Sequence, residues 1–149
     1  MVTADAGNGP VAMTVSSLSS VGIAPPTLVF SASPLSSATP VIREAGTLVV
    51  HMLTADQVEL AKLASTSGVD RFGEDVNWDR LPTGEPYYPE ASEWLRGRII
   101  GRLDINGSTL VVVEALQAKP REDVEHDDRL PLVYHNRTWH ALGDHSRLG

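Results

Sequence analysis

The chain has 149 residues, with 12 Lys and Arg against 19 Asp and Glu, a formal net charge of -7 and no cysteine. This length predicts a single domain, and the absence of cysteine excludes a disulfide framework, a thiolate nucleophile and any cysteine-ligated metal. A negative chain without a basic cluster also argues against nucleic acid as a partner, because phosphate backbones are bound by Lys and Arg.

The first 42 residues are almost free of charge, since Asp5 is the only charged side chain among them. Prolines and serines interrupt this stretch, so no apolar helix of about 20 residues can cross a membrane there. No basic segment precedes an apolar block, so a signal peptide is not indicated. We therefore expect a cytoplasmic protein that makes no membrane contact.

The first third of the chain is predicted to be rich in strands. Short strands are expected at residues 1–4, 11–17 and 27–31, with a hairpin turn at residues 6–9, where Gly and Asn tolerate positive φ. A short helix is expected to begin near Thr39-Pro40 and to end at Gly46. The β-branched stretch that follows, residues 47–53, predicts the next strand.

Residues 54–65 form the clearest predicted helix. Thr54 and Gln57 occupy the two positions of a capping box, and apolar residues recur behind them at helical spacing. The next segment, residues 67–92, is broken by glycines and prolines. A long loop of this kind in a small domain is usually functional or mobile.

The last third predicts two hairpins. Residues 94–103 and 109–118 are joined by Asn106-Gly107, and residues 130–134 and 138–142 are joined by Asn136-Arg137. Seven or eight strands with one substantial helix indicate a mainly β fold, an antiparallel β-barrel with inserted helices.

The charged residues of this part are interpreted as solvent-facing. Arg96, Arg98 and Arg102 alternate along one strand and are predicted to share a solvated face of the sheet. Residues 121–129 are predicted to form a charged surface loop. Within it, His126, Asp127 and Asp128 suggest either a weak site for a divalent ion or solvated charge, and solvated charge is favoured.

No motif for side-chain catalysis is present. The chain lacks a Gly-x-Ser-x-Gly elbow, a phosphate-binding P-loop and a Gly-x-Gly-x-x-Gly turn, and its histidines do not show metal-ligand spacing. We therefore assign no catalytic side chain and no metal site. Residues 16–20 and 31–37 are rich in serine and follow successive predicted strands. Their hydroxyls either satisfy turn backbone or hold a phosphate beside a helix N-terminus, and both interpretations stay open.

Several ordered blocks of the sequence resemble the flavin reductase-like family, over nearly the whole chain. The blocks are residues 13–21, Pro25-Pro26, residues 36–46, residues 53–60, Asp70-Arg71-Phe72, residues 131–135 and Trp139-His140. The resemblance implies an FMN-binding split barrel, which is an antiparallel split β-barrel with one main α-helix and short helical insertions. It also implies a homodimer with the flavin near the subunit interface. Compared with the family, a single domain over residues 1–149 would lack the usual N-terminal helix and part of the first strand.

The resemblance also implies which residues bind the cofactor. Residues 14–17 would lie along the flavin, residues 31–33 would border its isoalloxazine ring, and Ser37 with Thr39 would face its phosphate. Arg71 is the nearby basic residue that would supplement these hydroxyls. The predicted cofactor-binding residues are Thr14, Val15, Ser16, Ser17, Ser31, Ala32, Ser33, Ser37, Thr39 and Arg71.

The activity implied is that of a flavin reductase, which passes electrons from NAD(P)H to FMN, or alternatively FAD, and on to an acceptor such as a partner monooxygenase. A Gly-Asp-His motif frequent in the family is replaced here by residues 106–109, Asn-Gly-Ser-Thr. The alternative is therefore a flavin-binding module for storage, relay or sensing without NAD(P)H turnover. A barrel recruited for haem, a deazaflavin or a pyridoxal derivative is the third hypothesis.

Overall fold

The structure, a computed structural model, describes residues 1–120 and 129–149. The elements within these residues are β1 (Val2–Asp5), β2 (Pro10–Met13), β3 (Ser19–Ile23), β4 (Pro26–Ala32), α1 (Thr39–Glu44), β5 (Thr47–Met52), α2 (Val58–Ser65), β6 (Asp79–Arg80), β7 (Pro86–Tyr87), β8 (Glu93–Ile105), β9 (Ser108–Lys119), β10 (Leu132–His135) and β11 (Thr138–Ala141). Short 3₁₀ turns at Ala55–Gln57 and Asp144–Ser146 complete the described elements. None of the described helices is long and apolar enough to cross a membrane.

Seven of the described strands form one antiparallel sheet in the order β2-β1-β5-β8-β9-β4-β3. The chain passes from one edge of this sheet to the other between Met13 and Ser19. Six residue steps span at most about 22 Å, whereas seven flat strands would be roughly 29 Å wide. The sheet must therefore curl until its two edge strands, β2 and β3, approach each other. The result is a split barrel, in which residues 14–18 connect the two edges.

The inner face of the curled sheet holds the main hydrophobic core. Phe30, Leu48, Val50 and Val111 from three strands are each 1% exposed or less, and Ile42 of α1 packs among them. The helix α1, which connects β4 to β5, therefore contributes to this core. Burial of such side chains contributes about 1.5–3 kcal/mol each, so this cluster dominates the stability of the fold.

The long segment between α2 and β8 is ordered by a second, aromatic cluster. Tyr88 is fully buried, stacks on Phe72 and donates from its hydroxyl to the backbone oxygen of Arg71 at 2.8 Å. Trp78 donates from its indole nitrogen to the Phe72 oxygen at 2.7 Å. These contacts explain how residues 66–78, which contain no helix or strand, hold Arg71 in one place against α2.

Two strands in the serine-rich N-terminal part of the chain differ from the sequence prediction. The strand predicted at residues 11–17 ends at Met13, because Thr14 turns its hydroxyl to the backbone oxygen of Ala61 in α2 at 2.7 Å. The strand β3, Ser19–Ile23, was not predicted. It is an edge strand whose side chains are mostly exposed, so it lacks the apolar alternation that marks a half-buried strand.

The predicted solvated arginine face is wrong for Arg96. Its Nε donates to Oε1 of Glu85 at 2.7 Å, with the two side chains 17% and 5% exposed. Register shifts after Arg96 and after Ile99 break the simple alternation of β8. Burial raises the pKa of Glu85, but hydrogen bonds from Thr47, Thr83 and Arg96 outweigh it and hold the pKa below its usual range.

The other arginines of β8 are also paired. Arg98 contacts Glu114 at 2.7 Å, and Arg102 donates to the Ala45 oxygen at 2.5 Å. The predicted charged loop, with its three-residue candidate for a divalent ion, lies outside the described residues apart from Arg129. Among the residues that the structure describes, no group of three or more His, Asp or Glu side chains is placed to hold a metal ion.

Candidate functional site

Residues 14–18 cross between the two sheet edges and bring the first predicted site residues together. Thr14 is fixed to α2 by its bond to the Ala61 oxygen at 2.7 Å. Three residues later, the Oγ of Ser17 accepts from the Ser31 backbone nitrogen at 2.8 Å, which ties this crossing to β4. Both ends of the segment are therefore held by side chains, so its middle residues present backbone and side chains at a defined position.

A cavity of about 380 Å³ lies beside this segment, and we call it the serine cavity. It contains four of the predicted residues, namely Thr14, Ser33, Ser37 and Arg71. Its other lining residues are Met13, Leu35, Ser36, Ala64, Ser65, Ser67 and Gly68. Residues distant in sequence thus form one hydroxyl-rich pocket between the β4–α1 loop and the C-terminal end of α2.

The donors of the serine cavity fit a phosphate. The hydroxyl oxygens of Ser33 and Ser36 accept from the backbone N–H groups of Leu35 and Ala38, at 3.2 and 3.3 Å, which leaves their O–H protons free to donate. No Asp or Glu lines the cavity among the described residues, so no side-chain carboxylate on its wall repels an anion. An acid-free set of hydroxyls is a suitable environment for a monoester phosphate.

Arg71 supplies the positive charge of the serine cavity. Its Nε donates to the Leu63 oxygen at 3.3 Å and its Nη2 to the Thr66 oxygen at 2.8 Å, both at the C-terminal end of α2. Carbonyl groups at a helix C-terminus favour a cation, so they orient the guanidinium without neutralising it. The N–H groups not used in these two bonds remain available to an anion.

A second cavity, of about 300 Å³, lies on the other side of Thr14, and we call it the apolar cavity. It is lined by Met1, Thr14, Val15, Ser16, Leu18, His51, Met52, Leu53, Ala61, Pro131, Leu132, Val133, Tyr134 and Trp139. Three predicted residues, Thr14, Val15 and Ser16, are among them. Its aliphatic and aromatic walls fit a planar ring system, and its size lies at the lower end of the range for small-molecule sites.

The two cavities adjoin, and together they match one ligand with a ring and a phosphate. Thr14 lines both of them. On α2, Ala61 lines the apolar cavity and Ala64 the serine cavity, and three residues along a helix correspond to about 5 Å. The residues present are therefore chemically compatible with a ligand such as FMN, which carries both a flat ring system and a phosphate.

Four predicted residues lie outside the two cavities. Ala32 is fully buried in the core. Ser31 pairs with Leu110 on the outer sheet face, next to Ser17. Thr39 donates from its hydroxyl to the Ser33 oxygen at 2.6 Å and lines a third cavity, together with Arg43 and Gly107.

His51 is a site residue that the sequence analysis did not assign. It is 1% exposed on β5, and its Nε2 accepts from the Tyr88 backbone nitrogen at 3.2 Å, which places its proton on Nδ1. Burial lowers the pKa of His51 to about 3, so the ring is neutral near pH 7. Nδ1 has no partner among the described residues. A polar residue within an otherwise apolar strand is the signal that marks it in the sequence.

Comparisons with known proteins identify the family that this chain is similar to. The family model described as flavin reductase like domain matches residues 1–143. The NADH:FMN oxidoreductase of Rhodococcus qingshengii is 34% identical over 135 residues, which are 91% of this chain and 70% of that protein. The region matched by the family model contains every residue that lines the two cavities.

Solved structures give the same result at the level of the fold. A flavin reductase domain protein from Arthrobacter sp. FB24 has a TM-score of 0.85 at 30% identity, over 95% of this chain and 85% of that one. BorF, the flavin reductase component of a bacterial two-component tryptophan halogenase, has a TM-score of 0.80 at 28% identity, over 96% and 89% of the two chains.

Proposed function

Because the chain belongs to the flavin reductase like domain family, we propose that it binds FMN and acts as an NAD(P)H:flavin oxidoreductase. Membership confirms the family predicted from the sequence and, with the solved structures, its antiparallel split-barrel fold. The observation that supports flavin binding is the junction of the serine cavity and the apolar cavity at Thr14.

In this proposal the protein binds and orients the cofactor. Ser33 was expected to border the ring, but it lines the serine cavity, so its hydroxyl would hold the phosphate together with that of Ser37 and the guanidinium of Arg71. Val15 and Leu18 would contact the ring. When bound, the flavin supplies the hydride and electron chemistry. The side chains that line the apolar cavity exclude water from the ring, and none of them needs to act as an acid, base or nucleophile.

Steady-state oxidation of NADH and NADPH with added FMN tests this function. We expect turnover by the wild-type protein and a KM for FMN that is about 10- to 100-fold higher in Arg71→Gln, because a charge-assisted hydrogen bond contributes about 1.5–3 kcal/mol. Riboflavin has no phosphate and is the matched control, since its KM should not change. Failure of FMN-loaded protein to consume either nucleotide would contradict the proposal.

A flavin-binding module without turnover is the second candidate. It is favoured by the β8–β9 turn, where Asn106-Gly107-Ser108-Thr109 replaces the Gly-Asp-His motif. Thr109 donates from its hydroxyl to Asp104 at 2.6 Å, and Arg43 contacts the other oxygen of Asp104 at 2.8 Å. The side chains of Thr109, Asp104 and Arg43 therefore bond to one another. Tight FMN binding with no NAD(P)H oxidation would support this candidate over the first.

The protein is further proposed to be a homodimer. Leu103 and Leu110 form a cross-strand pair on the outer face of the sheet, and Ile105 lies on the same face. Leu103 and Ile105 are 57% and 46% exposed. Since Ser31 pairs with Leu110 and also contacts Ser17, this apolar face continues into the edge of the candidate site. A second copy covering the face would bury it and place the flavin near the subunit interface.

An acceptor for the electrons is also part of the proposal. BorF serves a two-component tryptophan halogenase, and a partner monooxygenase is the acceptor expected from the sequence. A cytoplasmic location, where nicotinamide nucleotides are available, fits this role and stays a prediction.

A further inference from the structure

Two aromatic side chains on the β10–β11 hairpin line the apolar cavity without being part of the core. Tyr134 and Trp139 are a cross-strand pair, with ring centroids 4.6 Å apart and planes inclined at 51°. Tyr134 is 44% exposed and Trp139 is half-buried, and neither belongs to a buried cluster. Large aromatic surface left open beside a cavity is typical of a binding surface.

The hairpin does not depend on this ring pair for its attachment. Its base is held by backbone hydrogen bonds, from Ala55 to the Leu130 oxygen at 2.7 Å and from Leu132 to the Leu53 oxygen at 2.9 Å. The Trp139 indole N–H has no hydrogen-bond partner within the described part of the chain. The position of the pair at the cavity therefore calls for a role beyond anchoring the hairpin.

Because the two cavities are connected, the ring system of a bound ligand would lie next to Tyr134 and Trp139. A ligand whose phosphate lies in the serine cavity has its ring in the apolar cavity, because Thr14 is shared and α2 separates the two by only one turn. Val15 and Leu18 give the apolar cavity an aliphatic wall, and the hairpin gives it an aromatic one. A flat, electron-poor ring suits the space between such walls.

We infer that Tyr134 and Trp139 form a stacking surface for the flavin ring, with Trp139 as the larger contact. This inference rests on the proposed FMN binding and adds to it two residues from the C-terminal hairpin that the sequence analysis did not assign to the site. The hairpin is then a wall of the cofactor site, and its ring pair contributes to flavin affinity through stacking alone.

Titration of the flavin-free protein with FMN, followed by flavin fluorescence, tests the inference. An indole stacked on flavin quenches its emission, so bound FMN should be strongly quenched in the wild type. Trp139→Leu should weaken FMN binding about tenfold, which is within the range measured for base–aromatic stacking, and should restore part of the bound emission. Trp139→Phe keeps an aromatic face and should stay within about threefold of the wild-type Kd.

Two controls separate stacking from loss of structure. Trp94→Phe changes a tryptophan that is 9% exposed in another cluster, so it should alter neither Kd nor bound-state quenching. The melting temperature of flavin-free Trp139→Leu should remain within a few degrees of wild type, because the hairpin is attached through its backbone.

The outcomes distinguish this inference from the function on which it rests. Wild-type protein that binds and quenches FMN but does not oxidise NADH would contradict the reductase activity and leave the stacking surface supported if Trp139→Leu behaves as expected. Unchanged Kd and unchanged quenching in Trp139→Leu would overturn the stacking surface alone. Weakened binding of NAD⁺ to the FMN-loaded variant, with FMN binding unaltered, would assign the pair to the nicotinamide nucleotide and overturn the inference. Wild-type protein that does not bind FMN would overturn both.

Discussion

At the scale of single residues, the hydroxyl groups of the serine- and threonine-rich segments divide into two kinds. Those of Thr14 and Thr39 donate to the backbone oxygens of Ala61 and Ser33, at 2.7 and 2.6 Å. Those of Ser33 and Ser36 accept from backbone N–H groups and keep their own protons. The first kind fixes the chain and the second is ready to bind a ligand. Similar residues thus take different roles, and the role of Thr39 toward a phosphate stays a prediction.

His51 makes stability depend on pH. Burial lowers its pKa from 6.5 to about 3. The unfolded chain therefore takes up a proton near pH 6.5, while the folded chain stays unprotonated until near pH 3. The contribution of neutral His51 to folding stability is therefore complete above about pH 6.5 and is lost as the pH falls toward 3, by up to about tenfold in the unfolding constant per pH unit.

Urea unfolding of wild type and His51→Gln at about pH 7, 6 and 5 measures this dependence. Gln does not titrate, so the variant should show a flatter decline in the free energy of unfolding than the wild type. His145→Gln removes an exposed histidine and should keep the wild-type slope. Parallel slopes for wild type and His51→Gln would contradict the role of buried His51.

At the scale of elements, the hairpins followed from local turn chemistry. Asn106 and Gly107 adopt φ of 49° and 86°, and Asn136 and Arg137 adopt 48° and 61°, which are conformations that Gly and Asn tolerate best. Such turns were predictable because the conformation is set by the turn residues themselves. The edge strand β3 was not, because its pairing with β4 depends on a neighbour that the sequence does not reveal.

The loop between β4 and α1 is the element that carries most of the proposed phosphate donors. Ser37→Asp places a carboxylate at the serine cavity and should weaken FMN binding at least about tenfold, because two anions in one pocket repel each other. Riboflavin affinity should change little. Asn8→Asp adds the same charge in the exposed β1–β2 turn and should leave FMN affinity unaltered. Equal FMN affinity in Ser37→Asp and wild type, by fluorescence titration, would place the phosphate elsewhere.

At the scale of the whole molecule, the curled sheet has an inner face that is filled and an outer face that carries exposed apolar side chains. If the outer face is a dimer interface, Leu103→Asp should shift the protein toward monomer, because each copy would bury an uncompensated charge. The expected cost is roughly 2 kcal/mol or more per substituted position.

Light scattering coupled to size exclusion measures this change in mass. Leu148→Asp is the control, because Leu148 is 98% exposed and lies outside the outer sheet face. A wild-type protein that is monomeric at all concentrations, or a Leu103→Asp variant as dimeric as wild type, would contradict the proposed homodimer.

The sequence by itself determined the family, the antiparallel β class, the main helix and both hairpins. These features depend on local chemistry, such as turn residues and helix periodicity, or on ordered blocks that resemble a known family. It also pointed to the serine-rich segments, while leaving open whether their hydroxyls bind a ligand or the backbone.

Only the tertiary structure decided which residues meet. Curling of the sheet brings Thr14 and Ser33 into one cavity with Arg71, which comes from a segment without regular structure. It also sets Trp139, from the far end of the chain, against the apolar cavity. Contacts of this kind depend on packing between distant segments, and a periodic pattern along one strand or helix carries no information about them.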